Sequence, residues 1–297
     1  MIEPLAADPS RAPLPLAVVL LTLNEAHNMA AVLDSLEGLA AQVFVVDSFS
    51  SDATLDIALS RGAHVVQREF KGFGDQWNFA LRELPITAAW TMKLDPDERI
   101  CRRLAASLRA ALGPDAAADA YTLTRRLWFL GKPLPVRQRI LRVWRTGTCR
   151  FSDVLVNEHP LVEGRVAALE GDLEHHDSPS LTHWYDKQNR YTTAEALALA
   201  RGERLSAHAA LFGSPLERQM WLKKNFRRIP LRFGLLFWAH LLGRGAWRAG
   251  REGLIWARLR TEVYRMVEYK AFELSRMDEA PELPWRKGTP DPRVDRY

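Results

Sequence analysis

A mixed α/β domain built on a mostly parallel sheet is predicted by three observations. Short apolar runs alternate with stretches of helical spacing between residues 16 and 94. That alternation implies right-handed crossovers and parallel neighbouring strands. The apolar runs are continuous, as in strands covered on both faces. Polar residues also gather just after the runs, where open α/β sheets bind their ligands.

The elements follow in order. Residues 1–13 are expected to be a disordered lead-in. Residues 16–23 read as the first strand, and residues 28–36 follow with helical spacing. Residues 43–46 form a second buried run that ends at Asp47. Asp52 can cap a helix that runs to Arg61, and Gly62 stops it. A third short strand is expected at 64–67, a helix at 75–84, a fourth strand at 89–94 and a helix at 102–112. The texture then changes to short strand-like pieces at 121–126, 140–144 and 154–158. A strong helix is predicted at 182–201, followed by helical segments at 215–228 and 230–275 that are rich in Trp and Arg and interrupted by Pro230 and several glycines. This gives an α/β domain over 14–180, a helical basic and aromatic region over 181–280, and a tail over 281–297.

Composition narrows the functional classes. A chain of 297 residues with 47% hydrophobic content has room for a substantial core. The net charge of +5 is unevenly spread, with thirteen Lys or Arg against three Glu between residues 218 and 270. That excess suits an anionic surface, either lipid head groups or nucleic acid. No nucleic-acid motif accompanies it, so no nucleic-acid partner is expected. Cys101 and Cys149 match no metal-ligand spacing and fit a reduced, cytoplasmic protein. The N-terminus is acidic and proline-rich, unlike a signal peptide. The apolar run at 233–242 falls short of the roughly 18 to 20 residues a membrane span needs. The aromatic and basic side chains around it have two readings: packing on the α/β domain, or peripheral contact with an anionic membrane surface. The second is preferred.

The fourth strand stops at Asp95-Pro96-Asp97-Glu98. Asp95 and Asp97 lie two apart, so in extended backbone they share a side of the chain. Clustered carboxylates call for a counter-charge, and Mg²⁺ or Mn²⁺ held by carboxylates and substrate phosphates is the usual one. A solvated acidic turn is the alternative. No Gly-x-Gly-x-x-Gly or Gly-x-x-x-x-Gly-Lys loop follows the first strand, so the common phosphate cradles are missing.

Four segments occur in a telling order: Thr22-Leu23-Asn24-Glu25, Val45 to Thr54 with Asp47 and Asp52, Gly72 to Leu81, and Leu94-Asp95-Pro96-Asp97-Glu98. In this set the chain resembles the glycosyltransferases of family 2, whose nucleotide-diphospho-sugar transferase fold is called GT-A. Within that family it is most similar to bacterial lipopolysaccharide core β-glucosyltransferases, through Leu141 to Arg145, Asn157-Glu158, His175-His176 and Lys187 to Tyr191. The resemblance implies an inverting transfer from a UDP-linked hexose to a glycan or lipid-linked acceptor in cell-envelope polysaccharide synthesis, at the inner face of the cytoplasmic membrane. The Gln-x-x-Arg-Trp signature of processive synthases is absent, which implies a single addition. By position, the resemblance assigns Thr22, Asn24, Glu25, Asp47, Asp52 and Asp95 to the nucleotide, with Asp47 on the base. It assigns Asp95 and Asp97 to the metal and Glu158 to the catalytic base. Glu98 is the competing base, and His175 and His176 are either substrate contacts or ordinary packing. Two other enzymes stay open: a polyprenyl-phosphate glycosyltransferase, and a sugar nucleotidyltransferase, whose glycine-rich basic loop is missing here.

Overall fold

A computed structural model of the chain describes residues 12–152, 158–200, 209–279, 281 and 288–297. The first half alternates as expected: β1 (Leu14–Thr22), α1 (Ala26–Asp34), β2 (Ala40–Asp47), α2 (Thr54–Ser60), β3 (His64–Gln67), α3 (Phe73–Glu83) and β4 (Trp90–Lys93). Then come β5 (Glu98–Ile100), α4 (Arg102–Ala111), β6 (Ala120–Phe129), β7 (Lys132–Arg145), β8 (Cys149–Phe151), β9 (Pro160–Val162) and β10 (Val166–His176). The helices α5 (Leu181–Ala200), α6 (Pro215–Asn225), α7 (Arg232–Trp238) and α8 (Gly250–Leu274) follow, with a short β11 (Asp295–Arg296) after them.

Among the described residues the main sheet has the order β11-β3-β2-β1-β4-β7-β6-β10-β5. It is parallel from β11 to β4. β7 runs antiparallel to both β4 and β6. β10 is parallel to β6 and antiparallel to β5. The continuous apolar run of β1 has a direct cause. Leu16, Val18 and Leu20 face one core with Met29, Leu55 and Leu104, while Ala17 and Val19 face another with Trp77 and Trp144. With period-two alternation and both faces covered, every position has to be apolar.

β10 was not expected from the sequence. Its Gly171 has φ +97°, and a Cβ there would lie 2.4 Å from the backbone nitrogen of Leu104. Only glycine lets α4 approach this closely. The register of β10 then sets His175 opposite Glu98.

A third core joins the β6–β7 hairpin to the C-terminal helices, with Phe129, Leu134 and Val136 packed among Trp184, Leu241, Trp256 and Val263. Within the Trp-rich region Trp256 is core, whereas Trp238 and Trp247 are exposed. Within the segment expected as a tail, β11 pairs in parallel with β3. A bare sheet edge carries a row of unpaired amides and carbonyls, and pairing satisfies them whatever the side chains are. Residues 1–11 of the expected lead-in, residues 154–157 of the expected strand and Arg201 lie outside the described residues.

Candidate active site

The loops after β1 and β2 are tied together at their roots. Register pairs Thr22 with Asp47. Thr22 Oγ1 and Ser50 Oγ donate to Asp47 Oδ1 at 2.8 and 2.5 Å. Ser50 N and Gln67 Nε2 donate to Oδ2 at 2.8 and 2.9 Å. Four donors fill the lone-pair sites of a carboxylate, and Asp47 is 0% exposed. Asp47, expected on the base ring, accepts here from Thr22, Ser50 and Gln67 and ties the loops together. Asn24, at φ +57°, takes the left-handed conformation that Asn tolerates. Its Oδ1 accepts from Ser51 N at 2.7 Å, and its own N–H donates to Ser50 Oγ at 2.8 Å. Glu25 N donates to Thr54 Oγ1 at 2.8 Å, and Ala26 N to Asp52 Oδ2 at 3.1 Å. The structure thus brings Thr22, Asn24, Glu25, Asp47 and Asp52 to one end of the sheet.

The Asp95 and Asp97 pair is divided. Arg142, on β7, donates from Nη2 to Asp95 Oδ2 and to Glu98 Oε1, each at 2.7 Å. Burial would raise the Asp95 carboxyl, but the charges of Arg142, Lys93 and Arg125 outweigh it and hold it below its ordinary value. Glu98 is 0% exposed, and burial pushes it up in spite of the same guanidinium. Asp95, expected as a metal ligand beside Asp97, is here the partner of Arg142. Glu98, sealed between Arg142 and the Asp95 amide, has no route to an acceptor.

Asp97 faces a different group. The ligand atoms of Asp97, His175 and Asp177 all lie within 4.8 Å of one another. Asp97 Oδ1 stands 3.4 Å from His175 Nδ1, and both atoms are buried without a hydrogen-bond partner. Lys187 Nζ, from α5, donates to Asp97 Oδ2 at 2.7 Å and to Asp177 Oδ1 at 3.1 Å. Burial, working against the nearby Asp97 charge, lowers His175 to about 4, so its imidazole is neutral at pH 7 and can ligate a metal. Two orphaned buried donor atoms turned toward each other beside a second carboxylate fit a divalent cation. Asp97, expected to share a metal with Asp95, stands here with His175 and Asp177. His176 turns the other way and stacks on Trp128 with centroids 4.7 Å apart, as neighbours in a strand must. Because Lys187 belongs to α5, the boundary expected at residue 180 runs through this cluster.

Glu158 meets the ammonium of Lys93, which lies 4.5 Å above the Trp77 ring. Glu158, expected as the catalytic base, is half of a mostly buried ion pair. Sequence reasoning missed Lys93, Arg142, Asp177 and Lys187 as partners. A buried lysine in a strand and the Lys-x-x-x-Tyr spacing were the available signals.

Glu25 accepts from Asn28 Nδ2 at 2.8 Å. It is pushed up from 4.5 to about 7, first by burial and then by the charge of Asp97. The folded value lies above the unfolded one, so over that interval the unfolded chain has released a proton that the folded chain keeps. Stability therefore falls as pH rises from about 4.5 to 7. In EDTA, Glu25→Gln is expected to flatten that part of the profile of thermal midpoint against pH. An unchanged profile would remove Glu25 as its source.

The profile of Glycosyl transferase family 2 matches residues 17–101, from β1 through β5. Lipopolysaccharide core biosynthesis glycosyltransferase LpsC of Rhizobium meliloti (strain 1021) is 28% identical over 254 residues, covering 82% of this chain and 86% of that one. The uncharacterized glycosyltransferase RP128 of Rickettsia prowazekii (strain Madrid E) is 24% identical over 207 residues, 64% of this chain and 70% of that one. Among solved structures, glucosyl-3-phosphoglycerate synthase from Mycobacterium tuberculosis, in complex with Mn²⁺, UDP and glucosyl-3-phosphoglycerate, aligns over 65% of this chain and 81% of that one. Its identity is 18% and its TM-score 0.38. With strand-end carboxylates and laced loops inside the matched segment, residues 17–101 are a family 2 glycosyltransferase domain of the GT-A fold, and the chain is a glycosyltransferase related to lipopolysaccharide core enzymes.

Proposed function

We propose that this glycosyltransferase moves a hexose, with inversion, from a UDP-sugar to a glycan or lipid-linked acceptor in lipopolysaccharide synthesis, working peripherally at the cytoplasmic face of a membrane. One observation carries the transfer: the Asp97, His175 and Asp177 cluster beside the laced loops at the carboxyl ends of parallel strands. The acceptor class rests on the likeness to LpsC, and the uridine and the hexose on the family resemblance. Among the described residues no helix is long and apolar enough to cross a membrane.

Each residue has a task. Asp97, His175 and Asp177 would hold Mg²⁺ or Mn²⁺, which when bound neutralises charge on the leaving diphosphate. Lys187 keeps both carboxylates turned inward. Asp47 and Asn24 fix the loops that form the nucleoside wall. Glu158 takes the proton of the attacking hydroxyl, and Lys93 fixes its position.

A donor screen with Mn²⁺ or Mg²⁺ tests this. Consumption of a UDP-hexose, with release of UDP, is expected. Consumption of a nucleoside triphosphate with a sugar phosphate would mark a nucleotidyltransferase, and transfer to polyprenyl phosphate alone would move the acceptor. Glu158→Gln is expected to cut turnover by roughly 10²- to 10⁴-fold with UDP binding retained. Wild-type turnover in that variant would take the base role away from Glu158.

A further inference from the structure

The C-terminal helices carry a surface that the catalytic cluster does not use. Leu231, Leu235, Trp238 and Leu242 are 86%, 58%, 54% and 57% exposed. Their spacing of four, three and four residues places them along one side of α7 and the π-helical turn that continues it to Gly243. Leu231, Phe233, Leu235 and Trp238 also line a shallow apolar depression. This side faces outward because the opposite side is anchored. Arg232 makes a two-pronged contact with Glu268 of α8 at 2.7 and 3.1 Å, and Leu241 lies in the third core.

Along the ridge's own segment the charge has one sign. Between Glu217 and Glu252 the sequence contains nine Lys or Arg and no Asp or Glu. Arg227 and Arg228 at one end of the ridge, and Arg244 and Arg248 at the other, are exposed. Trp247, 53% exposed, stands among the latter. A row of Leu and Trp flanked by arginines complements a surface that is apolar inside and anionic outside.

We infer that the ridge Leu231, Leu235, Trp238 and Leu242 inserts into the head-group layer of an anionic phospholipid bilayer, with the flanking arginines on lipid phosphates. This deepens the proposed membrane contact and rests on it: the basic residues draw the protein to the surface, and the ridge fixes its depth and orientation.

The test uses the full chain and vesicles of phosphatidylcholine with or without phosphatidylglycerol. Wild type is expected to sediment with the anionic vesicles, and to keep part of its binding when salt screens the arginines. Changing Leu231, Leu235, Trp238 and Leu242 to Ser is expected to lower the partition coefficient about tenfold or more and to abolish the salt-resistant part. Circular dichroism and lipid-free consumption of the UDP-sugar in that variant show that the fold survives. If the ridge variant binds like wild type, the arginines act alone; the ridge proposal falls while the membrane contact stands. If wild type ignores anionic vesicles at low salt, both fall. A dimer that the substitutions convert to monomer in sedimentation equilibrium would make the ridge a contact between copies and overturn the proposal.

Discussion

Replacing Asp97 by Asn is expected to reduce turnover by about 10³-fold or more while leaving the protein folded. Asn matches the size of Asp and keeps one carbonyl oxygen, so the fold has no steric reason to change. What is lost is charge. Burial raises the Asp97 carboxyl, but His175 and Lys187 together outweigh burial and keep it below its ordinary value. The side chain is therefore anionic, and it is the deepest negative charge of the cluster. Lys187 still has Asp177 at 3.1 Å in the variant, so it is not stranded. Initial rates across Mn²⁺ concentrations, with Mn²⁺ binding followed by electron paramagnetic resonance, separate a weakened metal site from a misplaced donor. Turnover within tenfold of wild type at saturating Mn²⁺, or full wild-type turnover in excess EDTA, would sink the assignment.

The largest effect on stability is expected from Arg142→Met. Methionine replaces the aliphatic stem but removes the guanidinium bonded to both Asp95 and the fully buried Glu98, leaving them the more distant charges of Lys93 and Arg125, the latter 3.6 Å from Glu98. Breaking a buried pair from one side costs about 3–5 kcal/mol, which lowers the thermal midpoint by on the order of 10 °C in a chain of this size. The sign of the pH dependence follows. In wild type Asp95 is held below its unfolded value of 3.8, so its contribution is present at neutral pH and is lost only as pH falls through the lower folded value. In the variant both carboxyls rise, and protonation relieves their repulsion. The gap between wild type and variant should therefore narrow from pH 8 to pH 5. Equal thermal midpoints at pH 8 would show that Arg142 is not the counter-charge.

The sequence made β1 to β4 legible because each is buried on both faces and stops at polar residues. The same pattern located the acidic turn, but not which partner each carboxylate would take. Asp97 meets Lys187 from ninety positions later, and Asp95 meets Arg142 from across β4 and β7. Contacts of that span leave no local periodicity. β7 was recognised only near Ile140 because Pro133 and Pro135 interrupt its first half, where Pro133 pairs with Trp128 close to the hairpin turn. β10 hid behind Gly171 and its acidic neighbours. The ridge on α7 was visible as Trp and Leu among Arg, and only the fold shows which of those residues face outward.

The pairing of β3 with β11 bears on the order of synthesis. Asp291 N donates at 2.7 Å to Gln67 Oε1, across a separation of 224 residues. The same Gln67 side chain holds Asp47. At ribosomal speeds of about 5–20 residues per second, roughly 10 to 45 s pass between the emergence of β3 and that of its partner. During that interval the outer edge of β3 offers its amides and carbonyls to any extended chain nearby. The nascent protein is therefore most open to mispairing, and most in need of a chaperone, at the sheet edge that was made early and is closed last.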